Sequence, residues 1–288
     1  MLLYKPVGPG SQSLLGSVRR LAGTRRVGHG GTLDPFASGL LPVAVGRATR
    51  LVDRLHSFPK TYEAQLRLGL ETDSLDLEGE VQTAADVPAL TESQVRSCLS
   101  SFVGALEQTP PAYSAARIGG RRAYEIARAG GVVDLAARTV EIHELALLGL
   151  AGDTLTFQVT CSSGTYVRSL GRDIAAALGT VGHLTRLVRT RVGPFRLEDA
   201  LTAPEMHEAA RTLGFDKVLI PPDMLLRDTP AMLLTGQQAD AVRNGAPLTH
   251  AFSVPPGTSV RAYEEDGALL SLLSVSEEGS LSPTFLLK

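Results

Sequence analysis

The 288-residue sequence lacks the features that mark several large classes of protein. Its two cysteines, Cys98 and Cys161, are too few for a disulfide framework and fit a reducing compartment. No run of about eighteen apolar residues occurs, so we expect no membrane span. The opening residues Met1–Pro6 do not have the basic and then apolar layout of a signal peptide. These absences predict a soluble, cytoplasmic protein.

Patterns typical of metal sites and of serine hydrolases are also missing. The six histidines are scattered along the chain, and no two of them have the spacing of zinc ligands. No Gly-x-Ser-x-Gly elbow is present, which leaves only a remote case for a hydrolase that uses Gly30-Gly31 as an oxyanion loop. The sequence therefore predicts no metal site.

Charge is distributed unevenly along a chain whose net charge is only −2. Residues 1–60 hold nine Lys or Arg against two acids, and residues 161–196 hold six Arg against one acid. If both basic stretches fold onto one face, they would attract a polyanion in a salt-dependent way. Solvated or ion-paired arginines would give the same counts, so charge alone leaves both interpretations open.

Mixed helical and strand patterns predict an α+β fold. Apolar spacing predicts helices at residues 12–22, 91–102, 122–129 and 166–178, the first helix being amphipathic and the last ending at Gly179. Alternating apolar residues predict strands at 62–70, 140–150 and 154–161, and residues 37–55 are predicted to be helical or mixed. The acidic stretch 71–80 is predicted to be a surface loop. Because the strands and helices do not alternate regularly, a doubly wound sheet is disfavoured.

The character of the sequence changes near residue 225. Residues 230–288 hold only three basic residues and many short apolar runs, separated by turn signals such as Asp266-Gly267. This change predicts a large domain over residues 1–225 and a small β-rich domain over residues 226–288.

The most informative segment is VGHGGTLDPFASGLLP, residues 27–42. It places one carboxylate, Asp34, between a glycine-rich approach and a Pro-Phe-Ala-Ser-Gly exit. An Asp before Pro often caps a helix. A carboxylate on a glycine-rich loop is also able to face a substrate, because glycine permits turns and close approach.

This segment closely resembles the central motif of the TruB family of tRNA pseudouridine synthases, Gly-x-Leu-Asp-Pro-x-Ala-[Ser/Thr]-Gly. Lys60-Thr61-Tyr62 and CSSGTYVR, residues 161–168, resemble two further motifs of that family. The resemblance extends from about residue 2 to about residue 200. It implies the pseudouridine synthase fold, a mixed or antiparallel central sheet flanked by helices. A weaker match implies a PUA-like RNA-binding domain at the C-terminal end.

The resemblance implies three catalytic residues. Asp34 corresponds to the nucleophile, Tyr62 to a tyrosine that stacks on the target base and is proposed as the general base, and Arg168 to the arginine that pairs with the nucleophile. On residue chemistry alone, a buried aromatic is the more usual role for Tyr62, and Arg168 fits a surface helical residue. A guanidinium beside Asp34 would orient the carboxylate through two hydrogen bonds and lower its pKa.

Four more residues are implied in substrate binding: His29, Lys5, Tyr166 and Leu187. His29 would fill space in the RNA beside the flipped nucleotide, Leu187 would form an apolar wall under the base, and Tyr166 would line the pocket. Lys5 belongs to an opening Lys-Pro motif that in the family mainly supports the active-site loop.

The chain departs from the family pattern at Tyr4 and at Gly8–Ser13, which leaves the packing and phosphate contacts of this loop open. Segments 108–115 and 121–124 also fit the family and are predicted to form loops that face RNA.

The implied reaction is isomerisation of the uridine at position 55 in the T-loop of elongator tRNAs to pseudouridine. The stacked base must first be extruded, at a cost of a few kcal/mol. No metal or organic cofactor is implied, because the uracil never departs. We expect a monomer that binds the tRNA T-stem-loop, with no membrane and no obligate protein partner.

Two alternatives belong to other classes. A non-catalytic RNA-binding or RNA-folding protein is disfavoured by the intact set of Asp34, Tyr62 and Arg168. A guide-RNA-dependent synthase within a ribonucleoprotein is disfavoured because such relatives generally carry longer terminal extensions.

Overall fold

The structure, a computed structural model, describes residues 1–114, 117–118, 120–129, 131, 133–249 and 254–287. The strands in this part of the chain are β1 (Leu2–Lys5), β2 (Val27–His29), β3 (Ser38–Val45), β4 (Lys60–Leu68), β5 (Leu70–Thr72), β6 (Val81–Ala84), β7 (Gly104–Gln108), β8 (Arg117–Ile118), β9 (Arg121–Arg122), β10 (Arg138–Ala151), β11 (Thr154–Cys161), β12 (Gly182–Val192), β13 (Phe195–Arg196), β14 (Ala231–Leu233), β15 (Leu248–Thr249), β16 (Ser259–Tyr263), β17 (Leu269–Val275) and β18 (Ser280–Leu286). The α-helices are α1 (Ser11–Ala22), α2 (Val52–Ser57), α3 (Glu92–Ser100), α4 (Ala123–Arg128), α5 (Val167–Ala177), α6 (Ala203–Leu213) and α7 (Gly236–Arg243).

The predicted helices α1, α3, α4 and α5 and the predicted strands β4, β10 and β11 are confirmed, with ends shifted by up to two residues. For residues 37–55 the mixed alternative is observed, because β3 is followed by a 3-10 helix at Gly46–Leu51 and by α2. Seven of the eight residues of β3 are buried, and a fully buried strand has no alternation that distinguishes it from a helix.

The larger sheet is mixed, as predicted. Its strand order is β1-β3-β12-β4-β11-β10-β7, with β2 paired to β3 and β13 paired to β12. The pair β3 and β12 is parallel, and the other pairs of this sheet are antiparallel. Alternate residues of β11, such as Phe157 and Val159, are buried in a core with α3 and α5. The α+β class is therefore confirmed, and the interior strand β12 brings residues 182–192 beside β3, which follows the Asp34 segment.

Gly39 lies where β3 meets β12. Its φ is +115°, and a Cβ at this position would lie 2.4 Å from the carbonyl oxygen of Arg189. We expect Gly39→Ala to lower the free energy of unfolding by about 2 to 3 kcal/mol, because both the backbone conformation and the contact oppose a side chain. Denaturant unfolding measures this loss. Gly104→Ala is the matched control, since Gly104 has φ +108° but open space around the added Cβ. Equal losses in the two variants would contradict a role for the contact.

A five-stranded sheet in the order β14-β16-β17-β18-β15 forms the C-terminal unit, together with α7. A small β-rich unit at this end is thus confirmed. Leu272 on β17 packs in one cluster with Leu225, Leu226 and Phe195, so the two units share an apolar contact. The domain boundary between residues 225 and 226 and the likeness to a PUA domain stay predictions.

Among the described residues, none of the helices combines the length and the apolar character that a membrane crossing requires. In the same part of the chain, His, Cys, Asp and Glu side chains form no group of three or more that would hold a metal ion.

Candidate active site

A cavity of about 290 Å³ opens beside the segment that precedes β3. Its walls come from that segment, from β4 and β12, and from the residues that lead into α5. Five of the residues singled out from the sequence line it: Asp34, Tyr62, Tyr166, Arg168 and Leu187. The sheet order explains their meeting, because β12 lies between β3 and β4 and follows α5 in the chain.

Asp34 lies in a turn and not at the start of a helix. The Ala37 N–H donates to the Asp34 carbonyl oxygen at 3.1 Å, and β3 begins at the next residue. The helix-cap alternative for Asp34 is therefore wrong. Its side chain is 36% exposed, so one side of the carboxylate remains accessible from the cavity.

Two buried side chains hold the Asp34 turn in place. The Lys5 Nζ donates to the carbonyl oxygens of Pro35 at 3.1 Å and Ala37 at 2.6 Å. The Ser11 hydroxyl accepts from the Leu33 N–H at 2.9 Å. Lys5 is fully buried and is not among the residues that line the cavity. Its predicted contact with the substrate is therefore corrected: Lys5 supports the loop that carries Asp34. Ser11 shows that the unusual segment Gly8–Ser13 still packs against the turn.

Arg168 lies between two carboxylates. Its Nε is 3.0 Å from Asp34 Oδ2, and its Nη1 is 3.1 Å from Asp76 Oδ2. The guanidinium also donates to the carbonyl oxygens of Ser74 at 2.7 Å and Tyr113 at 2.8 Å. Its side chain is only 4% exposed. Arg168 thus makes one close contact with Asp34, where two were predicted. Its Nη1 and Nη2 atoms bind Asp76 and the carbonyl oxygens of Ser74 and Tyr113 instead.

The pKa of the Asp34 carboxyl is raised above its ordinary value. Burial is the main cause and the nearby Asp76 adds to it, whereas Arg168 acts in the opposite direction. The predicted lowering by Arg168 is therefore outweighed by burial. A raised pKa makes the ionised carboxylate a stronger base than a solvated aspartate.

Asp76 is a site residue that the sequence interpretation missed, because the stretch 71–80 was predicted to be a solvated loop. Its side chain is only 6% exposed, and it accepts hydrogen bonds from the Ser74 hydroxyl at 2.6 Å and the Glu78 N–H at 3.0 Å. The preceding Leu75 has φ +61°, a left-handed conformation that is uncommon outside glycine. Nothing in the sequence distinguishes Asp76 from the exposed acids around it.

We expect Asp76→Asn to move the acidic side of the pH–rate profile to lower pH. Asp76 raises the pKa of Asp34, so removing its charge lets Asp34 ionise in more acidic solution. The single-turnover rate constant measured against pH tests this. Asp73→Asn in the same loop is the control, since Asp73 accepts from the Glu80 N–H and does not contact Arg168. An acid limb that stays in place in Asp76→Asn would contradict the coupling.

Tyr62 and Leu187 form the wall of the cavity on β4 and β12. Tyr62 lies opposite Arg189 in the antiparallel pairing of β4 and β12. Burial raises the pKa of the Tyr62 phenol, and Arg189 acts in the opposite direction. Arg189 was counted only as part of a basic stretch, but the structure places it inside the protein at 1% exposure.

Tyr166 is held through its backbone by Gln108. The Gln108 amide accepts from the Tyr166 N–H at 2.8 Å and donates to its carbonyl oxygen at 3.1 Å. The Arg138 guanidinium stacks over the Tyr166 ring at 4.8 Å. Gln108, Pro110, Pro111 and Ser114 are buried, whereas Thr109 is exposed, and the contact of segment 108–115 with RNA stays a prediction. Ala115 and the side chains of Arg121 and Arg122 lie outside the described residues.

His29 lies at the end of β2, beside the residues that line the cavity. Its Nδ1 accepts from the Gly31 N–H at 3.3 Å, and its Nε2 is 3.3 Å from the Gln12 amide nitrogen. Burial and the nearby Arg189 lower the pKa of His29. The ring is therefore neutral at pH 7, and its contact with RNA stays a prediction.

Comparison with known proteins identifies the family. The TruB family pseudouridylate synthase N-terminal domain matches residues 19–167, and the tRNA pseudouridylate synthase B C-terminal domain matches residues 168–227. The tRNA pseudouridine synthase B of Aromatoleum aromaticum is 44% identical over 98% of this chain and 90% of that protein. The protein of the same name from Novosphingobium aromaticivorans is 45% identical over 86% of this chain and 85% of its own length.

Solved structures of similar fold match nearly the whole chain at lower identity. A Cbf5-Nop10-Gar1 complex contains a chain that matches with a TM-score of 0.73 and 27% identity, over 99% of this chain and 83% of that one. An H/ACA ribonucleoprotein bound to a substrate RNA containing 2'-deoxyuridine matches with a TM-score of 0.73 and 26% identity, over 99% and 84%. On the sequence matches over nearly its whole length, this chain belongs to the TruB family of pseudouridylate synthases and is an isomerase.

Proposed function

We propose that the protein isomerises the uridine at position 55 in the T-loop of tRNA to pseudouridine. The observation that carries this proposal is the partly exposed carboxylate of Asp34, held at the cavity by a buried Arg168. The family supplies the reaction, and the names of the relatives supply tRNA as the substrate. The T-loop position follows from the motif resemblance around Asp34.

In the proposed mechanism the Asp34 carboxylate is the nucleophile, which forms a transient bond to a carbon of the sugar or of the base, and this bond breaks again before the product leaves. The N1–C1′ bond of the uridine breaks, the uracil turns within the cavity, and a C5–C1′ bond forms. The proton leaves C5 and one is taken up at N1, so the reaction is an isomerisation without a co-reactant. Arg168 keeps the carboxylate oriented, because its remaining donors are fixed on Asp76 and on backbone carbonyl oxygens.

The cavity is suited to hold a uracil that has left its stack. Tyr62 offers an aromatic face and Leu187 an apolar side chain, and both line the same space. Extrusion of a stacked base costs a few kcal/mol, which contacts to the rest of the T-stem-loop would offset. Lys60 and Arg138 also line the cavity, and their positive charge would favour a polyanion such as RNA.

A guide-RNA-dependent synthase is the second candidate function. It is favoured by the solved structures of similar fold, which are an H/ACA ribonucleoprotein and a Cbf5-Nop10-Gar1 complex. Direct action on tRNA has the stronger support, because a relative with 44% identity over 98% of this chain is named tRNA pseudouridine synthase B. We propose accordingly that the protein acts as a monomer without an obligate partner.

The decisive experiment incubates the pure protein with an unmodified T-stem-loop and with full-length tRNA, without guide RNA or other proteins. Carbodiimide adducts mapped by primer extension report pseudouridine. We expect product at position 55 and none on the same stem-loop with cytidine at that position. No product on either RNA would overturn the proposal, and product at another uridine would overturn the assigned position.

A further inference from the structure

Gln108 is a buried amide side chain that pairs with both backbone groups of one distant residue. It is the last residue of β7 and has no exposed surface. Its carbonyl oxygen accepts from the Tyr166 N–H at 2.8 Å, and its amide nitrogen donates to the Tyr166 carbonyl oxygen at 3.1 Å. A buried amide is costly unless its donor and its acceptor are both paired, so these two hydrogen bonds fix the backbone of Tyr166.

The place of Tyr166 in the chain explains why it needs this support. It is the N-cap residue of α5, and its own side chain makes no capping hydrogen bond. Its carbonyl oxygen also accepts the first hydrogen bond of the helix, from the Leu170 N–H at 3.1 Å. Residues 162–165 before it lie outside helices and strands, with Gly164 at φ +89°. Gln108 therefore fixes the point at which this turn becomes α5.

Arg138 holds the same residue through its side chain. It begins β10 and lies opposite Gln108 in the antiparallel pairing of β7 and β10. Its guanidinium lies over the Tyr166 ring, 4.8 Å from the ring centre, and donates to the Gly164 carbonyl oxygen. A guanidinium over the face of an aromatic ring is attractive. Gln108 and Arg138, which we call the Tyr166 anchors, thus hold one residue by its backbone and by its ring.

The start of α5 is also attached to the protein by contacts that do not involve Tyr166. The Ser169 hydroxyl donates to the Thr109 carbonyl oxygen at 2.9 Å, and Arg168 pairs with Asp34 at 3.0 Å. We therefore expect the helix and the ion pair to stay in place when one of the Tyr166 anchors is lost. The effect of the anchors is concentrated on Tyr166, whose side chain lines the cavity.

We propose that the Tyr166 anchors are positioning residues, which fix the Tyr166 ring at the cavity wall so that it contacts the uracil that has left its stack. An aromatic ring offers a face to an extruded base, and a small misplacement of a substrate is costly to the rate. Gln108 is not among the described residues that line the cavity, so it acts through Tyr166. The inference rests on the proposed pseudouridine formation and names what orients its base.

The first test measures single-turnover rate constants at saturating tRNA for Gln108→Met, Tyr166→Ala and the double variant. Methionine has a similar length and forms neither hydrogen bond. We expect Gln108→Met to lower the rate constant about 10-fold, while tRNA affinity changes less than about 3-fold. Adding Gln108→Met to Tyr166→Ala should lower the rate constant less than about 2-fold further, because the ring is already gone. An unchanged rate in Gln108→Met, or losses that multiply in full, would overturn the proposal.

Ser271→Ala is the control for the loss of a buried hydrogen bond far from the cavity. Ser271 is fully buried in the C-terminal unit and donates to the Phe285 carbonyl oxygen at 2.7 Å. Denaturant unfolding should show lower stability in Gln108→Met and in Ser271→Ala, because each change removes a buried side-chain hydrogen bond. Only Gln108→Met should lower the rate constant. Equal rate losses in the two variants would show that the rate follows stability, which contradicts a positioning role.

Arg138→Lys tests the second anchor at a partly exposed position, where the fold tolerates the change. Lysine keeps the positive charge but lacks the planar guanidinium that lies over the ring. A residue that only attracts RNA would leave the rate constant at saturating tRNA unchanged. We expect a loss of about 5-fold, and a wild-type rate constant would overturn the role of Arg138.

Carbon-13 at the ζ position of tyrosine reports on the Tyr166 ring without any need for activity. The chain has six tyrosines, and the signal missing in Tyr166→Phe identifies Tyr166. We expect that signal to shift in Gln108→Met and Arg138→Lys and to stay in place in Ser271→Ala. An unshifted signal in both anchor variants would overturn the proposal. A wild-type protein without product would contradict the proposed function, whereas an active wild type with unaffected anchor variants would contradict this inference alone.

Discussion

Replacing Asp34 with asparagine is expected to lower the rate of pseudouridine formation by about 10⁴-fold or more, the scale seen when a nucleophile is removed. The amide has the same size but cannot attack carbon. A single-turnover assay on the T-stem-loop measures the loss. Asp53→Asn is the matched control, because Asp53 is the other acid among residues 1–60 and is exposed on α2. Product from Asp34→Asn at the wild-type rate would contradict the mechanism.

The Asp34→Asn protein should remain folded. Burial raises the pKa of Asp34, so its ionisation in the folded state costs stability at any pH above that raised value. A neutral amide avoids this cost, and Arg168 keeps its pairing with Asp76. We therefore expect a melting temperature within a few degrees of wild type, about the shift produced by 1 kcal/mol.

Binding of tRNA by Asp34→Asn distinguishes the enzyme from a non-catalytic RNA-binding protein. An enzyme of the proposed kind loses product and keeps affinity, because the cavity walls at Tyr62 and Leu187 are unchanged. A protein whose task is only to bind RNA would form no product in wild type either. The two measurements together decide between these classes.

Local structure was predictable from the sequence wherever one short segment contains the whole signal. The helix at 92–100 is an example, because Thr91 and Gln94 form a capping box at its start. Strand β11 is another, since Leu155, Phe157, Val159 and Cys161 alternate and all are buried. These signals depend on spacing alone.

The burial of charged side chains was not predictable in this way. Asp76 and Arg189 look like ordinary surface residues in the sequence, because their partners lie 92 and 149 positions away. Only the strand order brings β12 beside β3 and turns the segment before β6 toward α5. The resemblance around Asp34 identified the Asp34 and Arg168 pair, but motif matching does not report which further charges the fold encloses.

Replacing Arg168 with methionine is expected to lower the free energy of unfolding by about 3 to 5 kcal/mol, the cost of breaking a buried ion pair from one side. Methionine fills similar space but leaves Asp34 and Asp76 facing each other without a cation. The carbonyl oxygens of Ser74 and Tyr113 also lose the hydrogen bonds that Arg168 donates. Denaturant unfolding measures the loss, and the activity assay should show no product.

The loss in Arg168→Met should shrink in acid. Without the arginine, the pKa of Asp34 rises further above its ordinary value, because Arg168 no longer opposes burial and Asp76. A carboxyl with a raised pKa in the folded state costs stability when ionised, so protonation restores stability as the pH falls through that value. Arg172→Met on the same helix is the control, since the pair of Arg172 and Asp173 is about 30% exposed and should contribute less than about 1 kcal/mol. A loss in Arg168→Met that matches this control, or that does not change with pH, would show that Arg168 does not hold the two carboxylates together.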